Sequence, residues 1–299
     1  MGIVLDLNIK NRRHLKRGKL LPYILVSPYL LFVIVFVLFP VFFCFFLTFH
    51  KWNIIAPMKF IGVDNYSRLF HDRLFWKAIG NTVKFLLLHI PLQLSISLFL
   101  AYLLNRKLKA SSFFRASFFI PVIVSGVVVT ILWQQLLGYD TGLINRFLTG
   151  ARIGKIGWLI DPDVAIYSIA VMATWKNVGL YVILFLVGLQ TVPPQYYEAA
   201  KMEGATSWQQ FYHITLPIIN PTIFMVVILS TIGGFSLFIE PYIMTGGGPL
   251  NTTLSAVLYI YKQAFQYYNM GYSATLGFFY AIIIMTVVVL QKKLIEKEI

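Results

Sequence analysis

Glu198-Ala199-Ala200-Lys201-Met202-Glu203-Gly204, followed after nine residues by Ile214-Thr215-Leu216-Pro217, interrupts two long apolar segments with a polar connector. A loop that only joined two membrane helices could be much shorter. The connector reads as two short helices with a hinge. Pro193 and Pro194 suit the first turn of a helix. Tyr196 to Met202 contains good helix formers, and Gly204 can end that helix in a left-handed conformation. Thr206 and Gln209 have capping-box spacing and start a second helix, Ser207 to His213. Pro217 and Pro221 begin the next apolar span. The plainer alternative is a soluble connector with no partner.

Outward from this stretch, the chain reads as an all-α integral membrane protein. It is 58% hydrophobic and only 12% charged, with a mean hydropathy of +0.75. A soluble domain carries about a quarter charged residues. The apolar runs exceed the roughly 20 residues needed to cross hydrocarbon as a helix. They are also too numerous to share one soluble core. Spans are expected at about 22–48, 79–104, 113–137, 165–189, 217–240 and 273–291, giving six transmembrane helices. The first twenty residues are not read as a cleavable signal, because the apolar run after them is too long and lacks a small-residue cleavage site.

The formal net charge of +14 would suggest nucleic acid in a soluble protein. Here the bases flank the spans, so orientation and anionic lipid headgroups account for them, and no nucleic-acid partner is expected. Lys10, Arg12, Arg13, Lys16, Arg17 and Lys19 fill the N-terminal tail. Arg106, Lys107, Lys109 and Arg115 mark the loop near 105–115, and Lys292, Lys293 and Lys297 mark the end. Under the positive-inside rule these three regions, and both termini, face the cytoplasm. The same orientation puts the Glu198 connector inside the cell. The organisation expected is a basic tail at 1–21, a permease domain at 22–291 and a short tail at 292–299. Within the permease domain, 22–48 is an accessory helix, about 75–291 the core and 190–216 the connector. Trp52, Trp76, Trp158, Tyr267, Tyr268 and Tyr272 suit interfacial belts.

The pattern Glu-Ala-Ala, three residues, Gly, nine residues, Ile, one residue, Leu-Pro resembles the cytoplasmic signature of bacterial ABC-importer permeases. Further resemblance lies in Asn81-Thr82, Gly142-Leu143-Ile144-Asn145, Trp158-Leu159, Asp161-Pro162, Trp175, Gly188-Leu189-Gln190 and Thr245-Gly246-Gly247-Gly248-Pro249. Their order over roughly residues 60 to 291 is similar to the carbohydrate branch of that family, the maltose and glycerol-phosphate type. Glu203 stands where this branch often has Asp, with the charge kept. The resemblance implies the type I ABC-importer permease fold in a bacterial or archaeal cell membrane. It also implies four kinds of partner: a second homologous permease subunit, two ATP-binding-cassette subunits, an extracytoplasmic solute-binding protein and the bilayer. Glu198, Ala199, Ala200, Gly204, Ile214, Leu216 and Pro217 would then couple the chain to the ATPase. ATP and magnesium would be held by the partner, with no cofactor on this chain.

The residues show no enzyme constellation. His14, His50, His71, His89 and His213 lack HExxH spacing, and there is no Gly-x-Ser-x-Gly elbow. Gly150-Ala151-Arg152-Ile153-Gly154-Lys155 is one residue short of a phosphate loop, with Ile156 where Ser or Thr would hold magnesium. It reads as a turn. The single cysteine, Cys44, lies in an apolar span, and no Cys/His metal pattern exists.

Polar groups at membrane depth are the candidate pathway. Lys176 lies about 18 Å along the fourth span at 1.5 Å per residue, too deep to reach either surface easily. Ionisable residues at that depth face a cavity or a partner. The alternative is packing, with the lysine paired to a carbonyl or carboxylate. Trp175 and Asn177 flank it, and aromatic faces and amides suit sugar rings. Alignment through Trp175 and the Thr245-to-Pro249 motif implies a site at Lys176, Asn177, Ser230, Gly234 and Leu237, with Glu240 nearer the outside. Gln134, Gln135, Ser273 and Thr275 are weaker candidates. The function expected is a permease subunit that translocates a carbohydrate by alternating access, with glycerol phosphate or a polyol as the alternative cargo. A secondary transporter is the alternative of another class.

Overall fold

The computed structural model describes residues 22–105 and 111–295. The tail at 1–21, Arg106, Lys107 and Lys109, and Lys297 lie outside the described residues. The elements are α1 (Pro22–Leu47, with a π-turn at Ile34–Leu38), β1 (His50–Lys51), β2 (Lys59–Phe60), α2 (Asp64–His71), α3 (Arg73–Asn105), α4 (Ser111–Ile123) and α5 (Gly126–Leu136). There follow α6 (Leu143–Gly150), α7 (Ala165–Gln190), α8 (Pro194–Met202), α9 (Ser207–Gln210), α10 (Asn220–Phe235), α11 (Ile239–Met244), α12 (Ala256–Tyr261) and α13 (Met270–Ile295). The two strands form one antiparallel pair, with His50 opposite Phe60.

Five helices are long and apolar enough to cross a membrane, and the count reaches six if a bent pair is taken as one broken span. The sequence expects that third span, 113–137, as one helix. The structure breaks it: α4 and α5 meet at 96°. Pro121 supplies no N–H to the carbonyl one turn back. Ser125 then swings to ψ 128°, and its carbonyl accepts from Val129 N at 3.1 Å to begin α5. The fifth span is broken too, at Ser236–Phe238, between α10 and α11. Irregular backbone at membrane depth persists only inside protein or along a cavity, and the break in the fifth span lines one.

α7 is the central helix, with most of its apolar stretch buried where the other spans bury a third or less. It packs on α3, α4 and α10. Small residues permit the close approach: a Cβ on Gly179 would collide with the backbone carbonyl of Phe118. Buried apolar residues form three clusters down the bundle. At one end Leu69, Phe75, Leu254, Leu258 and Leu276 meet. Phe85, Leu86, Ile169, Ala173, Phe235 and Tyr280 fill the middle. At the other end Ala101, Val182, Phe185, Leu189 and Val226 pack beneath the 190–216 connector. α13 starts beside the first cluster and runs towards the connector end, where Lys292 and Lys293 sit in its last turn.

Asp72 fastens the end opposite the connector. Its Oδ2 accepts from the hydroxyls of Tyr259 and Tyr272, both at 2.6 Å. Its Oδ1 accepts from the Leu74 and Phe75 amides, starting α3. Burial pushes the Asp72 carboxyl up, but the four hydrogen bonds outweigh it and hold the group below its ordinary value. The Arg68 guanidinium stacks 3.9 Å from the Tyr272 ring.

The family-like motifs are joints of this scaffold. Asn81 Nδ2 donates to the carbonyls of Asn251 and Leu254. Asn145 Nδ2 donates to the Tyr139 and Ile156 carbonyls, and its Oδ1 accepts from the Trp158 indole at 3.0 Å. Thr245 and Thr253 hydroxyls meet at 2.7 Å to close the glycine-rich loop. The Gly150 to Lys155 stretch follows the end of α6, where Lys155 pairs with Asp140 at 2.9 Å in an exposed turn.

Candidate functional site: a polar cavity and an exposed connector

Six of the seven residues expected on the pathway line one cavity of about 230 Å³: Lys176, Asn177, Ser230, Gly234, Leu237 and Glu240. α7 contributes Lys176 and Asn177, α10 contributes Ser230 and Gly234, and the break and α11 contribute Leu237 and Glu240. Lys176 Nζ lies 3.8 Å from Glu240 Oε1, and both side chains are mostly buried, at 15% and 12% exposure. The two sequence readings of Lys176, cavity or carboxylate pair, are therefore realised together. Gly126, at the start of α5, touches the lysine from the other side: a Cβ there would stand 2.7 Å from Nζ.

Trp175 is not in this cavity. Consecutive helical residues point about 100° apart, and Trp175 faces outward against Trp133, with ring centroids 5.5 Å apart. It lines an apolar groove with Leu92, Phe118, Pro121 and Val178. Among the weaker candidates, Gln134 donates to the Ile243 and Met244 carbonyls and ties α5 to α11. Gln135 is exposed. Ser273 donates to the Ile260 carbonyl and Thr275 to those of Gly271 and Thr48, which are packing roles.

The sequence reading passed over His89 and Tyr181, both of which line the cavity. His89 is 4% exposed, stacks on Phe85 at 4.9 Å and shares a 2.8 Å hydrogen bond between Nδ1 and Thr174 Oγ1. The rule that singled out Lys176, an ionisable group inside an apolar run, would have found it. Ser230 Oγ is buried without a partner at hydrogen-bond distance, although the Tyr181 hydroxyl faces it. Asn177 lines the cavity, and its Nδ2 donates to Ala173 O at 2.9 Å.

The connector forms as the sequence suggests. α8 has Pro194 at its first turn, and Gly204 follows at φ +79°. Thr206 and Gln209 complete both halves of a capping box. The second helix differs: α9 ends at Gln210 and passes into a π-turn at Phe211–Thr215. Tyr197 Oη meets Thr215 Oγ1 at 2.9 Å and ties the halves together. Ile214 and Leu216 pack on the third buried cluster, and Phe211 contacts the Tyr102 ring of α3. Glu198, Ala199, Gly204 and Pro217 are exposed, Ala200 is half-buried, and Met202 and Trp208 stand 85% and 72% exposed. The connector thus packs on α3 and α7 and exposes Glu198, Lys201, Met202, Glu203 and Trp208.

Residues 93–298 match the family described as binding-protein-dependent transport system inner membrane component, and the chain belongs to that family. It is a multi-pass membrane permease with the ABC-importer permease fold. It is 36% identical to the probable ABC transporter permease protein YurN of Bacillus subtilis (strain 168), over 93% of this chain and 96% of that one. It is 36% identical to the lactose transport system permease protein LacF of Rhizobium radiobacter, over 89% and 90% of the two chains. A chain in the structure of a bacterial alginate ABC transporter, in complex with an alginate pentasaccharide-bound periplasmic protein, shares the fold at a TM-score of 0.80. That likeness covers 94% of this chain and 95% of the other at 23% identity.

Proposed function

We propose that this chain is one membrane subunit of an ATP-driven importer, and that it moves a carbohydrate across a bacterial or archaeal cell membrane by alternating access. The observation that carries this reading is the convergence of Lys176, Asn177, Ser230 and Glu240 on one cavity lined by the break in the fifth span. Hydroxyl, amide and paired charges beside the Phe85 ring suit a sugar, with its hydroxyl edge and apolar face. LacF, a lactose permease by name, supports the same cargo class.

The cavity volume falls below the roughly 300–1,000 Å³ of a complete small-molecule site. A second, homologous permease subunit supplies the remainder. The connector faces the cytoplasm, consistent with Arg115, Lys292 and Lys293 gathering at its end of the bundle. Two ATPase subunits dock there and hold ATP and magnesium. This chain performs no bond chemistry, and a solute-binding protein delivers cargo at the opposite end.

The test is reconstitution. Liposomes holding this chain, a second permease, the ATPase and the binding protein are expected to accumulate labelled saccharide only with ATP inside the cytoplasmic-face compartment. Liposomes with this chain alone are expected to accumulate none. Saccharide uptake by the single chain, driven by an ion gradient, overturns the reading in favour of a secondary transporter.

A further inference from the structure

We infer that the cavity selects an uncharged saccharide, and that the Lys176–Glu240 pair is the specificity-determining group. The inference rests on the carbohydrate reading above and adds the charge class of the cargo. Apart from the Tyr181 phenol, the cavity's ionisable side chains among the described residues are Lys176, Glu240 and His89. His89 is occupied by Thr174 and by stacking on Phe85. The two formal charges therefore cancel within 3.8 Å.

A lone buried ammonium would recruit a carboxylate, and a lone carboxylate would recruit an amine. Paired, they offer a charged ligand one attraction and one repulsion at nearly the same distance. On this chain's wall no net charge then offsets the removal of water from a uronate or an amino sugar, which costs several kcal/mol per buried ion. A neutral hydroxyl has a smaller desolvation cost and can still be satisfied.

The pair also keeps hydrogen-bonding capacity. An ammonium has three donors and a carboxylate about four lone-pair sites. Their 3.8 Å separation is longer than the roughly 2.7–2.9 Å of a direct charge-assisted hydrogen bond. Two neighbouring hydroxyls of a sugar ring fit this arrangement. One oxygen accepts from Lys176 Nζ, and the next hydroxyl donates to Glu240. Asn177 beside the lysine and Ser230 on α10 add an amide and a hydroxyl to the lining. The ammonium lies against Gly126 at the start of α5, where a Cβ would stand 2.7 Å from Nζ, so glycine at that position leaves it room. The alginate transporters share the fold with this chain at 23% identity, and an acidic cargo does not follow from that likeness.

The experiment uses the complete reconstituted importer and size-matched disaccharides that are neutral, uronate-bearing or amine-bearing. The wild-type complex is expected to take up a neutral disaccharide at least tenfold faster than either charged one. Lys176→Gln and Glu240→Gln are each expected to lower neutral uptake tenfold or more. The double variant is expected to recover part of that loss, because it is neutral and keeps amide hydrogen-bonding groups at both positions, and the exchange Lys176→Glu with Glu240→Lys is expected to recover more. Glu240→Gln is also expected to raise the ratio of uronate to neutral uptake about tenfold, a change that a purely structural pair would not produce. Co-purification of the partner subunits checks assembly, and the double and exchange variants keep the test readable where a single variant fails to assemble. Preferred uptake of a uronate or amino disaccharide by the wild type overturns the inference and leaves the carbohydrate reading standing. So does a double variant as inactive as the worse single one. A complex that transports only a non-carbohydrate solute overturns the carbohydrate reading itself.

Discussion

Asp72 is a single carboxylate holding three segments: it starts α3, and its other oxygen receives Tyr259 and Tyr272. Its pKa is depressed on folding, so its contribution is fully present above the ordinary carboxylate value of 3.8 and is lost as pH falls through the lower folded value. Stability from this group is therefore expected to stay constant between pH 5 and 8 and to fall only below about pH 4. Asp72→Ala strands two hydroxyls and two amides. Hydrogen bonds to a charged group are worth about 1.5–3 kcal/mol each, so a melting temperature lower by several degrees at neutral pH is expected in detergent. An unchanged melting temperature would show that the tyrosines hold the loop without it. At this scale the sequence was legible where chemistry conflicts with surroundings. Lys176 and Glu240 stand out because a charge in an apolar run demands an explanation. His89 meets the same criterion, whereas Trp175 is a neighbour of Lys176 in sequence alone. Adjacency along a helix separates side chains by about 100°, and here it sends the two into different pockets.

The connector was the most legible element, because its signals are local. A capping box, a proline-led first turn and a left-handed glycine each act within a few residues. Gly204 has open space around its α-carbon, so a side chain there meets no atom and pays only for its φ of +79°. That penalty is roughly 1–2 kcal/mol for a non-glycine residue. Gly204→Asp is expected to leave membrane insertion intact and to reduce substrate-stimulated ATP hydrolysis in the assembled complex. Glu198→Lys, which reverses an exposed charge on the same face, is expected to do the same. Normal stimulation in both variants would remove the connector from the coupling path. The third span was poorly legible for the opposite reason. Hydropathy averages over about 19 residues and cannot see a 96° turn inside one apolar run. Pro121 and Ser125-Gly126 were the local marks of the break, but proline and glycine are also tolerated within continuous transmembrane helices.

For the whole molecule, composition gave the solvent and the number of spans, and motif order gave the family. What composition could not give is which faces stay covered, because α1, the outer stripe of α3 and the Trp175 groove are apolar whether lipid or a second subunit lies against them. The bent third span has a consequence for biogenesis. At 1.5 Å per residue, the 13 residues of α4 reach about 20 Å and the 11 of α5 about 16 Å, and neither crosses the roughly 30 Å of hydrocarbon alone. As the chain leaves the ribosome, the translocon meets a segment that is apolar enough to enter the bilayer but whose final shape does not span it. The main packing partner of α4 is α7, synthesised some 30 residues later. A nascent chain truncated at residue 150 and fused to a topology reporter is expected to give mixed orientations or a straight span. Extension through residue 190 is expected to fix a single orientation. Equal, uniform insertion at both lengths would show that the bend forms without its neighbour, and that insertion of this span is complete before the central helix is made.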